Sequence, residues 1–180
     1  MGSTDRVRVK SGILAYTAAL LFLALFISEA LQTPYWVSPV FGLFSHLIVF
    51  PIIALWPAPN WARAAGYGWL IIDVTTNVAA WNLATMGLTS SNLQLTTILF
   101  ESIRQGIHVN ASIWIAAASW NAHGAIRLTG LLVAFFLTIT ALAGPWLPVW
   151  FVYPGFVLLV VWLTLLGRRL NSSPTVVVSY

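Results

Sequence analysis

The 180-residue chain has no cysteine, and only 7% of its residues are charged. Without thiols it forms no disulfides, thiolate metal sites or cysteine nucleophile. A water-soluble domain needs about a quarter of its residues charged, so this composition excludes a soluble globular protein. Lys and Arg are spread thinly rather than clustered, which excludes nucleic acid as a partner.

The chain is instead rich in apolar residues, at 59% hydrophobic. A helix needs about 20 apolar residues to cross the ~30 Å hydrocarbon core of a bilayer. Short breaks containing Pro, Gly or Asn divide this chain into six segments of that kind. They cover residues 11–33, 38–56, 66–88, 93–120, 124–143 and 146–167. The predicted fold is an all-α bundle of six transmembrane helices, with the lipid bilayer as its surroundings.

Basic residues predict how the bundle is oriented, because short loops rich in Lys and Arg stay in the cytoplasm. Seven of the eight basic residues fall on one side of a six-helix bundle: Arg6, Arg8, Lys10, Arg63, Arg127, Arg168 and Arg169. The opposite loops carry no charge. The pattern predicts a multi-pass protein of a cell membrane with both termini cytoplasmic. Residues 1–10 and 170–180 are then short tails flanking one transmembrane domain, 11–169.

Four charges remain inside the predicted helices once Asp5 is assigned to the N-terminal tail. They are Glu29, Asp73, Glu101 and Arg104. An intramembrane charge costs at least ~2.5 kcal/mol, so such residues usually face the bundle interior and mark a site. The alternative is that Glu29 reaches the membrane surface from the end of its helix and that Glu101 and Arg104 neutralise each other.

Polar side chains extend these charges into stripes, since residues three and four apart share one helix face. The fourth segment carries Gln94, Thr97, Glu101, Arg104, Gln105, His108 and Ser112 in this spacing, and the third carries Asp73, Thr76, Asn77 and Trp81. Hydrocarbon offers no hydrogen-bond partners, so the stripes must face other helices or water. The predicted ligand-binding residues are Glu29, His46, Asp73, Asn77, Trp81, Glu101, Arg104, Gln105 and His108.

Counting ~1.5 Å per residue from the external helix ends predicts two polar layers. Glu29 lies ~6 Å deep, His46 and Glu101 ~12 Å, and Asp73 and His108 ~23 Å. The outer layer contains Glu29, His46 and Glu101 above Arg104, and the inner layer pairs Asp73 with His108. The difference in depth between His46 and His108 also argues against a haem held by both.

Most of the ten Trp residues fit an interfacial belt. Trp36, Trp146 and Trp150 fall at the predicted external boundary, and Trp56, Trp61, Trp69 and Trp120 near the cytoplasmic one. Trp81 shares the face of Asp73, so we expect it either in the polar pocket or in plain packing. No segment has a helical pair of metal ligands such as HExxH, and we expect neither a metal nor a cofactor.

Three functions fit this pattern. The first is a carrier or binding protein for a small polar, cationic or amphipathic molecule, because three acids stand against one Arg inside the helices. The second is a membrane enzyme, an isomerase or cyclase, that acts on a lipid-like substrate. Glu101 or Asp73 would be its general acid or base, with His108 or His46 as partner. The third is a structural subunit of a larger complex, or a homo-oligomer, in which the polar stripe of the fourth segment packs on another chain and Ala15, Ala19, Gly124 and Gly130 supply small residues.

Overall fold

A computed structural model describes residues 3–34, 36–86 and 90–172, with the backbone alone at 3–11, 84, 90–97, 100, 101, 145 and 149. These residues form six α-helices, as the sequence predicts. They are α1 (Ser3–Ala30), α2 (Val37–Leu55), α3 (Asn60–Thr85), α4 (Ser90–Trp120), α5 (Gly124–Ala143) and α6 (Val152–Ser172). Two 3-10 turns, Gly144–Trp146 and Val149–Phe151, connect α5 to α6.

The helices are arranged as a ring. Each one packs against the helices before and after it in sequence, and α6 packs against α1 to close the circle. Small residues make this last contact close. A Cβ at Gly167 would lie 3.0 Å from the carbonyl oxygen of Gly12, so glycine is needed for the two backbones to meet there.

Four of the described helices are long and apolar enough to cross a membrane, so the chain is a multi-pass membrane protein. These spans are Gly12–Ala30, Val37–Leu55, Gly124–Ala143 and Val152–Ser172. Large apolar side chains cover the outside of the ring and face the bilayer, among them Leu20, Phe135 and Val157. Helices α3 and α4 have enough length, about 39 and 46 Å, but they carry the polar stripes that lower their hydropathy. Their crossing remains a prediction, as does the side on which the termini lie.

The helix starts explain which Trp residues are buried. Helix α3 begins at Asn60, directly after Pro59, whereas the sequence predicted its start at residue 66. Trp69 therefore lies about 14 Å inside the helix and is only 3% exposed. Trp56 is buried too, and its Nε1 donates to the carbonyl of Ala118 at 2.9 Å. Trp69 therefore does not belong to the interfacial belt, and Trp56 lies at the end of α2 with its side chain turned into the bundle. The other five belt Trp residues are exposed: Trp36, Trp61, Trp120, Trp146 and Trp150.

Aromatic rings fill the centre of the ring of helices. Edge contacts run from Phe22 to His46 and from His46 to Trp69, with ring centroids 5.2 and 5.3 Å apart. Trp69 stacks on Trp114, which meets Trp162 edge to face at 5.5 Å. This row joins residues of α1, α2, α3, α4 and α6. Such pairs add about 0.5–1.5 kcal/mol each beyond the burial of their area, so the row is a rigid centre for the bundle.

Small residues that were expected to contact another chain pack inside this one. Ala15 and Ala19 are buried within the ring. A Cβ at Gly130 would collide with Ser119 and with Nε1 of Trp162, which donates to the Ser119 hydroxyl at 3.1 Å. These positions are therefore used for contacts between helices of one chain, and they no longer support a contact with a partner.

Candidate functional site

Asp73 is the centre of a buried polar site formed by three consecutive helices. Its side chain, on α3, is only 1% exposed. His46 of α2 places Nε2 at 3.1 Å from Oδ2, and Arg104 of α4 places Nε at 3.8 Å from Oδ1. A buried carboxyl is costly unless it is paired. Here each neighbouring helix contributes one basic side chain, His46 from α2 and Arg104 from α4.

The backbone of α2 fixes the orientation of His46. Its Nδ1 lies 2.6 Å from the carbonyl oxygen of Gly42, one turn earlier, which also accepts a bond from the Ser45 hydroxyl at 2.9 Å. A carbonyl oxygen only accepts hydrogen bonds, so Nδ1 carries the hydrogen in this arrangement. The rings of Phe22 and Trp69 pack against the His46 imidazole in edge-to-face geometry. Nε2 is thus the ring nitrogen presented to Asp73.

The contact of 3.1 Å places two groups side by side that can each bind a proton, the His46 imidazole and the Asp73 carboxyl. A bare imidazole nitrogen and a carboxylate oxygen both carry lone pairs, so only a proton on one of them would turn this contact into a hydrogen bond.

Asn77 and Gly42 bring α2 and α3 together beside this pair. The Asn77 side chain is buried and donates from Nδ2 to the carbonyl oxygen of Asp73 at 2.7 Å. A Cβ at Gly42 would collide with the side-chain amide of Asn77, so a larger residue fits only if that buried side chain moves. Sequence reasoning missed Gly42, whose only signal is its position one helical turn before His46.

Several buried atoms of the site have hydrogen-bonding capacity that the described residues do not use. Neither carboxylate oxygen of Asp73 accepts a well-aligned hydrogen bond, and Nδ1 of His108 has no partner among these residues. His108 follows Arg104 by one turn of α4 and interacts electrostatically with Asp73. Since buried polar atoms are normally paired, these atoms are where the polar group of a ligand or a water molecule would bind.

The prediction of two separate polar layers is wrong, because His46 and Asp73 are in contact. Helix α3 ends at Thr85, three residues before the predicted end. Asp73 then lies about 18 Å from that end, and His46 about 14 Å from the start of α2. Two side chains readily bridge the remaining difference. Within the described residues no three His, Asp or Glu side chains are placed to hold a metal ion.

Three predicted ligand-binding residues lie away from the buried site. Glu29 is exposed in the last turn of α1, and Trp81 is 42% exposed although it follows Asp73 and Asn77 on one helix face. Gln105 turns towards Gly144, where an added Cβ would lie 3.1 Å from its Nε2. The side chain of Glu101 falls outside the described residues, as do those of Gln94 and Thr97. The structure thus brings together His46, Asp73, Asn77, Arg104 and His108.

No protein-family model, curated protein or solved structure matches this chain. Its function has to be argued from the chemistry of the site.

Proposed function

We propose that the protein is a membrane carrier or binding protein for a small polar molecule, and that the site of His46, Asp73 and Arg104 exchanges a proton as it binds. The observation that carries this proposal is the buried Asp73 carboxyl, which two bases contact and whose oxygens keep unused bonding capacity. A membrane protein rarely retains such a group unless it is used, because an ionisable side chain inside the bundle is costly.

The charges of the described site favour a ligand with an anionic or hydrogen-bond-accepting group. One carboxyl lies among Arg104 and two histidines, whereas the sequence alone suggested an excess of acid and a cationic ligand. The Arg104 guanidinium has several donors in a fixed plane and suits a carboxylate or phosphate. Its side chain is 23% exposed, more than those of His46 and Asp73.

A proton exchange follows from competition for Arg104. An anionic group that binds Arg104 offsets the positive charge that faces Asp73, so the His46–Asp73 pair takes up one proton from the water together with the ligand. When the ligand leaves, Arg104 pairs with Asp73 again and the site releases that proton to the water. Because α2, α3 and α4 each supply one group, the two pairings favour different helix contacts, and this difference can drive a carrier between conformations.

The test is uptake into proteoliposomes with an imposed pH gradient, measured for a panel of labelled organic acids and amines together with a pH-sensitive dye inside. We expect an acid to enter with a change in internal pH. The change Asp73→Asn should remove both signals, since it removes the proton site.

Thr75→Val is the matched control, because Thr75 lies two residues away on the exposed face of α3 and bonds only its own helix, at Ile71. This variant should transport normally. Uptake that is unchanged in Asp73→Asn would contradict the proposal. The enzyme and complex-subunit interpretations remain predictions from the sequence, and the contact between His46 and Asp73 is the acid–base pair that the enzyme interpretation names.

A further inference from the structure

The outer face of α4, opposite the polar site, carries an amide within the membrane-spanning part of the ring. Asn110 follows His108 by two residues, on the other side of the helix, and its side chain is partly exposed. It lies about 15 Å from the end of α4 at Trp120. The next polar residue, Ser112, accepts a hydrogen bond from Thr138 of α5, one of the four membrane spans. Asn110 therefore lies in the part of the ring that the bilayer surrounds.

No described residue forms a hydrogen bond with the side-chain amide of Asn110, which has two N–H donors and a carbonyl acceptor. Hydroxyl groups on the outside of the ring are different, because they bond to their own helices. Thr75 donates to the carbonyl of Ile71, and Thr164 donates to that of Val160. Hydrocarbon offers an amide no partner, and an unpaired polar group there is costly. The Asn110 amide is thus available to a hydrogen-bonding group from outside the chain.

Small residues surround Asn110 on the outside of α3 and α4. Gly106, one turn earlier on α4, is exposed, and a Cβ added there would have nothing within 4 Å. Gly68 of α3 lies on the other side, since its added Cβ would be 3.6 Å from the side-chain nitrogen of Asn110. Towards Trp120 the surface becomes a groove of about 690 Å³, which Ala65, Ala116 and Ala117 help to line. A second helix can approach closely over such a surface.

We propose that the protein forms a two-fold symmetric dimer in which α4 packs against α4 of a second copy and the two Asn110 amides bond to each other. Copies of a membrane protein insert the same way round, so the axis of such a dimer is parallel to the membrane normal. Each residue near the axis then meets its own counterpart. An amide both donates and accepts, so Asn110 is complementary to Asn110 of the partner subunit.

This hydrogen-bonding complementarity decides the occupant of the face. A lipid acyl chain could cover the small residues, but it would leave the amide without a bond, whereas a second copy provides both the packing and the bond. The face also differs from the one on which the sequence placed a partner, because Arg104 and His108 of the polar stripe belong to the buried site. The inference does not rest on the carrier proposal, whose residues lie on the opposite side of α4.

Disulfide cross-linking in membranes tests the contact, and the cysteine-free full-length chain needs only one substitution for it. Ile103→Cys places a thiol two turns from Asn110 on the same face, and we expect oxidation to convert most of the protein to a covalent dimer. Val161→Cys is the matched control. Val161 is 41% exposed, against 40% for Ile103, and lies on α6, which is not next to α4 in the ring. Similar dimer yields at the two positions would indicate random collision and would overturn the proposal.

The affinity of the dimer tests the role of the amide. It can be measured by Förster transfer between copies labelled at a cysteine introduced at Ser172, in phosphatidylcholine vesicles at a series of protein-to-lipid ratios. Asn110→Leu removes the amide and should raise the dissociation constant about three- to thirtyfold, the range expected for hydrogen bonds between membrane helices. Asn110→Gln keeps the amide and should keep the dimer. Gly106→Ile should weaken the dimer, whereas Thr164→Ile, which adds bulk at an exposed position of α6, should not.

Three results would overturn the proposal. Monomers at every protein-to-lipid ratio would show that copies do not associate. A dimer that Asn110→Leu leaves unchanged would place the contact on another face. Purification of the chain with a different membrane protein on this face, in place of a second copy, would give the face another occupant.

Discussion

The peptide unit at Gly42 shows how much of the polar site depends on one small residue. Its carbonyl oxygen orients His46, and its lack of a side chain leaves room for Asn77. His46 and Asp73 stand out in the sequence because they are polar residues in apolar segments. Gly42 does not, since glycine is common in membrane helices. At this scale the sequence identifies the chemistry, while the residues that position it are found only in the structure.

Gly42→Ala should lower the stability of the protein by about 1–3 kcal/mol, which is the usual cost of forcing a methyl group into a packed contact. The change can be measured as a shift in thermal unfolding in detergent. Gly106→Ala is the control, because nothing lies within 4 Å of a Cβ at that position. It should be neutral or stabilise by up to about 1 kcal/mol through helix propensity. Equal destabilisation by both substitutions would show that Gly42 is not a close contact.

Helices were easier to predict from the sequence than the contacts between them. Apolar runs locate all six, since any such run must bury or face lipid. The start of α3 was missed because residues 60–65 include Asn60 and Arg63 and do not look like a membrane segment. That error placed Trp69 at the membrane surface, and the misplaced end of α3 separated Asp73 from His46. A residue's depth, when counted from a helix end, carries any error in the position of that end. The face on which a polar stripe lies depends only on the spacing of its residues and is not affected.

The hydrogen bond from Trp162 of α6 to Ser119 of α4 can be tested for its contribution to the packing of these two helices. Ser119→Ala leaves the buried Nε1 of Trp162 without its acceptor, which should cost about 1–3 kcal/mol. In a Trp162→Phe background the same change should cost much less, because no donor remains. Thermal unfolding of the four proteins of this cycle gives the coupling directly. Strictly additive losses would mean that the bond does not stabilise the joint.

In the whole molecule, packed aromatic rings fill the centre of the ring of helices, and apolar side chains cover its outside. Four described helices have the composition of membrane spans, and α3 and α4 complete the same ring although their polar stripes reduce their hydropathy. A helix with a polar face is compatible with a membrane when that face is turned inward. Asp73, Thr76 and Asn77 on α3 are buried in this way.

Whether α3 and α4 cross can be measured by labelling single cysteines, for which the natural absence of cysteine is an advantage. With both termini cytoplasmic and six crossings, cysteines at exposed Leu31 and Met86 should react in intact cells with a membrane-impermeant maleimide. A cysteine at Ser172 should react only after permeabilisation. Labelling of Met86 on the same side as Ser172 would contradict the crossing of α3, and labelling of Ser172 in intact cells would contradict the predicted orientation.

The double use of Gly42 has a mechanical consequence. The carbonyl oxygen of Gly42 accepts the hydrogen bond that orients His46, and the missing side chain of Gly42 leaves room for Asn77 of α3. A movement of α2 along α3 therefore also moves Nε2 of His46 relative to Asp73. The position of α2 along α3 and the contact between His46 and Asp73 are therefore coupled.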